Sequence, residues 1–265
     1  RAMLPRLFLV HFNDTSLIIQ EESMDKVAIE PREDVAIVRL THGVTNPIGP
    51  ELVEELGRAF EQARSEFQGI VLAGGRKFFS IGFDLPALLY LDRRGMSDFF
   101  HGFGRLLMEM VATPLPTASA VCGHAVAGGT ILMLTTDYRI AATGRTLVGL
   151  NESRLGVPVP YAADLLLRHI AGDRVATDMV YRGELLEASR VEESGVVDQV
   201  AEKNEVEGLA VETVAEIAAL PRDSFAAIKE NRVEAVLERY EKHGWEKNER
   251  FLDVWFSPEA QEGLK

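Results

Sequence analysis

Short β-rich runs alternate with helical segments through the first 200 residues, and this alternation constrains the fold more than any other feature. Residues 35–40 (VAIVRL) and 69–75 (GIVLAGG) predict strands, and the segment between them, 51–67, has apolar residues at helical spacing. Further strands are predicted at 117–123 and 137–142. Strands that alternate with helices indicate an α/β fold with a parallel-rich sheet.

After residue 205 the pattern is helical only, and it ends in a piece that carries Trp245, Phe251, Trp255 and Phe256. We therefore predict a core domain at 24–204 and a helical C-terminal subdomain at 205–265, whose aromatic face packs on the core or on another subunit. Residues 1–23 carry little pattern and are assigned to an N-terminal extension.

Composition excludes several classes of function. The net charge of −13 argues against nucleic acid and anionic membranes as partners. Cys122 is the only cysteine, so no intrachain disulfide can form, and the six histidines lack the spacing of a metal site. No apolar run reaches the roughly 18 residues of a membrane span. The expectation is a cytoplasmic protein without a bound metal.

Two glycine-bearing turns stand out. In FFSIGFDL, Gly82 permits a sharp turn, Asp84 is placed to cap a helix, and the amide of Phe83 is left as a free donor. In HAVAGGTIL, Gly128 lies in the first turn of an apolar helix, where its amide has no intrahelical partner. Each turn alone is more often structural. Together, two free amides can form an oxyanion hole.

Glu152 lies in the segment GLNESRLGV, among the apolar residues Val148, Leu150, Leu155 and Val157. Such neighbours remove water from a carboxylate, which raises its pKa toward neutrality and suits a general base. The alternative is an ordinary solvated loop carboxylate.

Four separated runs resemble the crotonase (enoyl-CoA hydratase/isomerase) superfamily in the order of that family's motifs. They are VAIVRLTHGVTNPIGPELVEELGRAF, GIVLAGGRKFFSIGFDL, AVCGHAVAGGTILMLTTDYRIAA and GLNESRLGV. The resemblance implies a crotonase-type spiral of ββα units with a C-terminal helical trimerisation region, and hence a homotrimer or homohexamer. It also implies an acyl-CoA thioester substrate, with coenzyme A as part of the substrate rather than a cofactor. The thioester oxygen would be held by the amides of Phe83 and Gly128.

The resemblance also bears on the reaction. A hydratase of this family uses two glutamates, and the first of these positions holds Ile131 here, whereas the second holds Glu152. One base suffices to move a double bond, and the GLNE segment resembles the Δ3,Δ2-enoyl-CoA isomerase branch. The alternatives are a hydratase with an unusual water partner, an acyl-CoA hydrolase, and a catalytically silent acyl-CoA-binding paralogue.

The substrate-binding residues expected beside the catalytic ones are Lys77, Ser80, Gly82, Leu85, Gly129 and Ile131. The segments 85–91 and 99–110 are expected to line an acyl pocket, because their apolar content favours an aliphatic chain. Many family members carry a lysine for the CoA phosphates where this chain has Pro86, and Arg76 with Lys77 could replace it.

Overall fold

The computed structural model describes residues 24–265, so the expectations for residues 1–23 lie outside the described residues. A six-stranded main sheet has the strand order β1-β2-β3-β5-β7-β10. Its strands are β1 Val27–Arg32, β2 Val35–Leu40, β3 Gly69–Ala73, β5 Thr117–Val121, β7 Tyr138–Ala142 and β10 Gln199–Ala201. The hairpin β1–β2 is antiparallel, and every later pairing in this sheet is parallel.

A second, smaller sheet has the order β4-β6-β8-β9. Its strands are β4 Phe78–Ser80, β6 His124–Val126, β8 Leu147–Gly149 and β9 Leu186–Glu187. Strands β4, β6 and β8 pair in parallel, and β9 closes the edge in the antiparallel sense. Each of β3, β5 and β7 in the main sheet is followed by one of these three strands. The chain therefore repeats a main-sheet strand and a short second-sheet strand, and the expected α/β architecture is confirmed.

Helices follow these strand pairs and fill the C-terminal part of the chain. They are α1 Pro50–Glu66, α2 Leu85–Leu88, α3 Arg93–Val111, α4 Gly128–Met133, α5 Tyr161–Arg182, α6 Ala188–Glu193, α7 Val206–Ala218, α8 Arg222–Trp255 and α9 Pro258–Gly263. The predicted cap at Asp84 is confirmed, since its side chain accepts a hydrogen bond from the Ala87 nitrogen at 3.2 Å. Helix α3 begins at Arg93, where the Asp92 side chain caps it by accepting a hydrogen bond from the Gly95 nitrogen at 2.8 Å.

The main sheet is covered on both faces. On one face, α1 and α3 enclose the larger core, which includes Leu52, Leu56 and Phe103. On the other face, α7 places Val206, Ala210 and Val214 against strand residues and against Cys122, a buried thiol whose pKa burial raises.

The C-terminal helices pack directly on the preceding part of the chain. Helix α7 contacts the main sheet, and α8 contacts α3 and α5. Phe251 and Trp255 of α8 are buried, whereas Trp245 is 69% exposed. The division of the chain near residue 204 stays a prediction.

Within residues 24–265, no helix combines the length and the apolar character that crossing a bilayer requires.

Candidate active site

The three parallel strands of the second sheet end at one edge, and the predicted catalytic residues follow them. Phe83 comes three residues after β4, Gly128 two residues after β6, and Glu152 three residues after β8. Since carboxyl ends of neighbouring parallel strands meet at one edge, ligands of α/β proteins commonly bind there.

A cavity of about 230 Å³ lies at this edge. It is lined by Ile81, Phe83, Leu85, Val126, Ala127, Gly128, Asn151, Glu152, Leu155, Val157, Pro160, Phe251, Trp255 and Leu264. The three predicted catalytic residues therefore share one small and mostly apolar space.

The Phe83 amide is held by the turn that follows β4. The Ile48 nitrogen donates to the Gly82 oxygen at 2.8 Å, and the Asp84 nitrogen donates to the Ile48 oxygen at 2.9 Å. The Phe83 nitrogen lies between these two bonds and has no acceptor among the described residues. Gly82 makes the turn possible with a φ of +93°, a value that L-residues rarely adopt. The result is a fixed backbone donor at the cavity.

The Gly128 amide is aimed by an unusual backbone conformation one residue earlier. Ala127 has φ 48° and ψ −117°, a conformation that costs a non-glycine residue about 1–3 kcal/mol. Its own nitrogen donates to the Gly149 oxygen at 2.9 Å, which ties the turn to β8. Gly128 is the first residue of α4, so its nitrogen lacks an intrahelical acceptor, and the described residues supply no other.

The two turns are in direct contact. A Cβ atom built on Gly82 would lie 2.9 Å from the Gly128 nitrogen, and one built on Gly128 would lie 3.4 Å from Cδ1 of Phe83. Two unpaired backbone donors thus lie beside each other at the wall of the same cavity. This arrangement can stabilise a developing negative charge on an oxygen atom.

Glu152 opens the 3₁₀ turn Glu152–Leu155 and is 6% exposed. Its Oε2 atom is buried without a hydrogen-bond partner among the described residues. Burial raises the pKa of this carboxyl to about 7, although a backbone hydrogen bond opposes the shift. Of the described residues that line the cavity, Glu152 alone has an ionisable side chain. A carboxyl of this kind can both take and return a proton near neutral pH.

Of the six predicted substrate-binding residues, two lie at or beside the cavity and four lie outside its lining. Leu85 lines the cavity, and Gly82 forms the turn beside it. Ser80 is fully buried, where its Oγ donates to the Asn46 oxygen at 2.7 Å and accepts from the Gly82 nitrogen at 3.1 Å. Ser80 therefore stabilises the turn through hydrogen bonds and does not line the cavity.

Gly129, Ile131 and Lys77 also lie outside the cavity lining. A Cβ atom on Gly129 would lie 2.2 Å from the Ser80 oxygen, so this glycine lets α4 approach β4. Ile131 is fully buried in the core. Lys77 is exposed just before β4, at the opposite end of the strands, with its Nζ 5.6 Å from the centre of the Phe78 ring. This cavity gives no support to their assignment to substrate binding.

The segment 99–110, predicted to line an acyl pocket, does not line this cavity but packs against Phe83. The rings of Phe99 and Phe103 meet the Phe83 ring edge-on, each at 5.3 Å between ring centres. These contacts fix the Phe83 side chain and, through it, the adjoining turn.

Sequence reasoning missed the residues that close the cavity from the C-terminal region, Phe251, Trp255 and Leu264. The i, i+4 spacing of Phe251 and Trp255 indicates an apolar helix face. Only the folded chain shows that this face covers the site.

No cluster of three or more histidine, cysteine, aspartate or glutamate side chains suited to a metal ion occurs in residues 24–265.

Comparison with known proteins finds several relatives of this chain. A family model described as enoyl-CoA hydratase/isomerase matches residues 30–265. Human mitochondrial enoyl-CoA delta isomerase 1 is 29% identical over 202 residues, which cover 74% of this chain and 67% of that protein. Enoyl-CoA delta isomerase 3 of Arabidopsis thaliana is 28% identical over 193 residues, which cover 70% of this chain and 81% of the relative.

A solved structure shows the same fold. The crystal structure of human mitochondrial Δ3-Δ2-enoyl-CoA isomerase superposes with a TM-score of 0.86 at 26% identity. The match covers 90% of this chain and 95% of that one.

Proposed function

Because this chain belongs to the enoyl-CoA hydratase/isomerase family, we propose that it moves the double bond of an enoyl-CoA from Δ3 to Δ2. The observation that carries the proposal is one cavity that combines two unpaired backbone amides with a single buried carboxyl of raised pKa. The relatives named enoyl-CoA delta isomerase support the same choice within the family.

In the proposed mechanism, the Glu152 carboxylate removes a proton from C2 of a 3-enoyl-CoA. The electron pair of the broken C–H bond delocalises into the thioester and gives an enolate whose oxygen is held by the amides of Phe83 and Gly128. The protonated Glu152 then returns its proton to C4, and the double bond is left between C2 and C3. Coenzyme A takes part only as the carrier portion of the substrate.

The described residues place a single carboxyl at the cavity, which favours isomerisation over hydration. Hydration requires a group that activates water in addition to one that handles the α-proton. Ile131, which occupies the position where the resemblance places the first glutamate, is apolar and buried away from the cavity. A single carboxyl that moves one proton between two carbons needs no second partner.

Product analysis tests the proposed function. Incubation with 3-hexenoyl-CoA should give 2-hexenoyl-CoA, and incubation with 2-hexenoyl-CoA should give little 3-hydroxyhexanoyl-CoA, both followed by chromatography with mass detection. Rapid formation of the hydroxyacyl or free-acid product would instead favour the hydratase or the hydrolase. Tight binding without any product would favour the silent paralogue.

We also propose that the protein assembles as a homotrimer or homohexamer. Ile228 and Trp245 of α8 are 58% and 69% exposed, and burial of such side chains between subunits would stabilise an assembly. Light scattering at micromolar concentration is expected to give three or six chain masses, and the mass of a single chain would contradict the proposal. The cytoplasmic location stays a prediction.

A further inference from the structure

We propose that Thr130 is a positioning residue, whose side-chain hydroxyl sets the placement of the Gly128 amide relative to the Glu152 carboxyl. The inference rests on the proposed function, because it assumes that this amide and this carboxyl act on the same thioester. It goes further by naming a side chain outside the cavity lining on which their alignment depends.

The Thr130 hydroxyl joins three elements of the fold. Thr130 is the third residue of α4 and is fully buried. Its Oγ1 atom accepts a hydrogen bond from the Gly149 nitrogen in β8 at 3.0 Å and donates to the Ala125 oxygen in β6 at 2.7 Å. The Gly149 oxygen also lies 3.0 Å from Oγ1. Because a hydroxyl has one proton, we assign that proton to the shorter contact, which has the usual length of an O–H···O bond.

The joined elements carry the groups that the proposed reaction requires. Gly128 opens α4, two residues before Thr130, and Glu152 follows Gly149 by three residues. A change in the distance between Thr130 and Gly149 would therefore move the oxyanion donor relative to the base. Proton removal from C2 requires both groups in place at the same time, and a displacement of about 1 Å in such a group can cost 10²-fold in rate.

The backbone at Ala127 makes the alignment sensitive to the same contact. With φ 48° and ψ −117°, Ala127 has a conformation that persists only where the surrounding structure holds it. One of the contacts that hold it is the 2.9 Å hydrogen bond from the Ala127 nitrogen to the Gly149 oxygen. Gly149 is thus bonded through its oxygen to this turn and through its nitrogen to Thr130. Without the hydroxyl, the turn that aims the Gly128 amide would be held less firmly.

Thr130→Val and Thr130→Ser separate the hydroxyl from the volume of the side chain. Valine fills nearly the same space but leaves the Gly149 nitrogen and the Ala125 oxygen without this partner. We expect kcat for 3-hexenoyl-CoA to fall by about 10–100-fold while KM stays within about 3-fold, because lost alignment acts on the transition state. Serine keeps the hydroxyl, so Thr130→Ser should retain kcat within about 3-fold of the parent.

Thr113→Val is the matched control. Thr113 is also buried, and its Oγ1 atom donates to the Glu109 oxygen of the preceding helix at 3.0 Å. The substitution therefore removes a comparable buried hydrogen bond that touches neither α4 nor β8. It should lower the denaturant midpoint and leave kcat unchanged. Circular dichroism at the assay temperature would show that the variants are folded.

A second measurement does not depend on turnover. A 3-oxoacyl-CoA loses its C2 proton readily, and the resulting enolate absorbs ultraviolet light strongly. Near neutral pH, the parent protein should hold bound 3-oxohexanoyl-CoA partly as the enolate, with the proton on Glu152 and the enolate oxygen at the two amides. Thr130→Val should bind this thioester with a similar Kd but hold several-fold less enolate. Thr130→Ser and Thr113→Val should match the parent.

Several outcomes would overturn the inference. They are a folded Thr130→Val protein with the parent kcat and enolate signal, a rise in KM without a loss of kcat, and a Thr130→Ser protein that loses as much as Thr130→Val. If the valine variant does not fold, Thr130→Cys takes its place, because a thiol has nearly the shape of the serine side chain but bonds weakly.

The enolate measurement also separates the inference from the proposed function. A parent protein that forms the enolate but moves no double bond would contradict only the proposed reaction, and the enolate signals of the variants would still decide the role of Thr130. A parent protein that does neither would contradict both.

Discussion

Glu152→Gln is expected to slow isomerisation of 3-enoyl-CoA by roughly 10²–10⁴-fold, the range typical of a lost general base. The amide has nearly the shape of the carboxyl but cannot take a proton from C2. Folding should survive, because the substitution removes a buried ionisable group that lacks a full set of partners. The measurement is kcat for conversion of 3-hexenoyl-CoA, with circular dichroism as the check on folding.

The same residue should set the pH dependence of the parent enzyme. Because the base acts as a carboxylate, kcat/KM should rise as pH increases through about 7, the pKa to which burial raises Glu152. The residual activity of Glu152→Gln should lack this step. Glu193→Gln is the matched control, since that side chain is 75% exposed and far along the chain from the cavity residues. A Glu152→Gln protein with the parent rate would remove Glu152 from the mechanism.

Gly82→Ala is expected to lower kcat by about 10²–10³-fold, the loss typical of one oxyanion-hole donor. The added Cβ would lie 2.9 Å from the Gly128 nitrogen and 3.0 Å from both the Val126 oxygen and the Ala127 Cβ. The φ of +93° at this position is also unfavourable for alanine. The methyl group must therefore displace one or both donors, and single-turnover rates with 3-hexenoyl-CoA would show the effect.

Gly144→Ala separates backbone strain from the loss of the donor. Gly144 also has a positive φ, +76°, but a Cβ there would meet nothing within 4 Å. This variant should lose some stability and keep its rate. If Gly82→Ala retained a rate within a few-fold of the parent while folded, the two amides would not form the oxyanion site.

The main sheet could be predicted closely from the sequence, because its inner strands are short continuous apolar runs. Strand β3, for example, is predicted at 69–75 and spans Gly69–Ala73. The second sheet could not be predicted. Strands β4, β6, β8 and β9 have only two or three residues each, too few for a period of two to be recognised. From its sequence, the segment that contains β4 is typical of a loop, and the stretch that contains β9 is typical of a mostly helical region.

More of the candidate site than of the second sheet can be predicted from the sequence. A glycine turn before a helix, or a carboxylate among apolar residues, is a local signal that requires no knowledge of strand pairing. Such signals identify Phe83, Gly128 and Glu152, and all three line one cavity in the structure. Phe251 and Trp255 come about 100 residues after Glu152. No local pattern gives the packing that brings α8 over the site.

The burial of Glu152 links the site to the thermodynamics of folding. An exposed glutamate in the unfolded chain releases its proton near pH 4.5, whereas the folded chain holds this proton up to about pH 7. Between these values the native state binds more protons than the denatured ensemble, so its stability falls as pH rises through the window. Above pH 7 the ionised Glu152 lowers the free energy of unfolding by the full amount, on the order of 3 kcal/mol at about 1.4 kcal/mol per pKa unit. In mildly acidic solution Glu152 is protonated, which stabilises the fold but leaves no carboxylate to act as the base. In alkaline solution Glu152 is ionised, which provides the base but destabilises the fold.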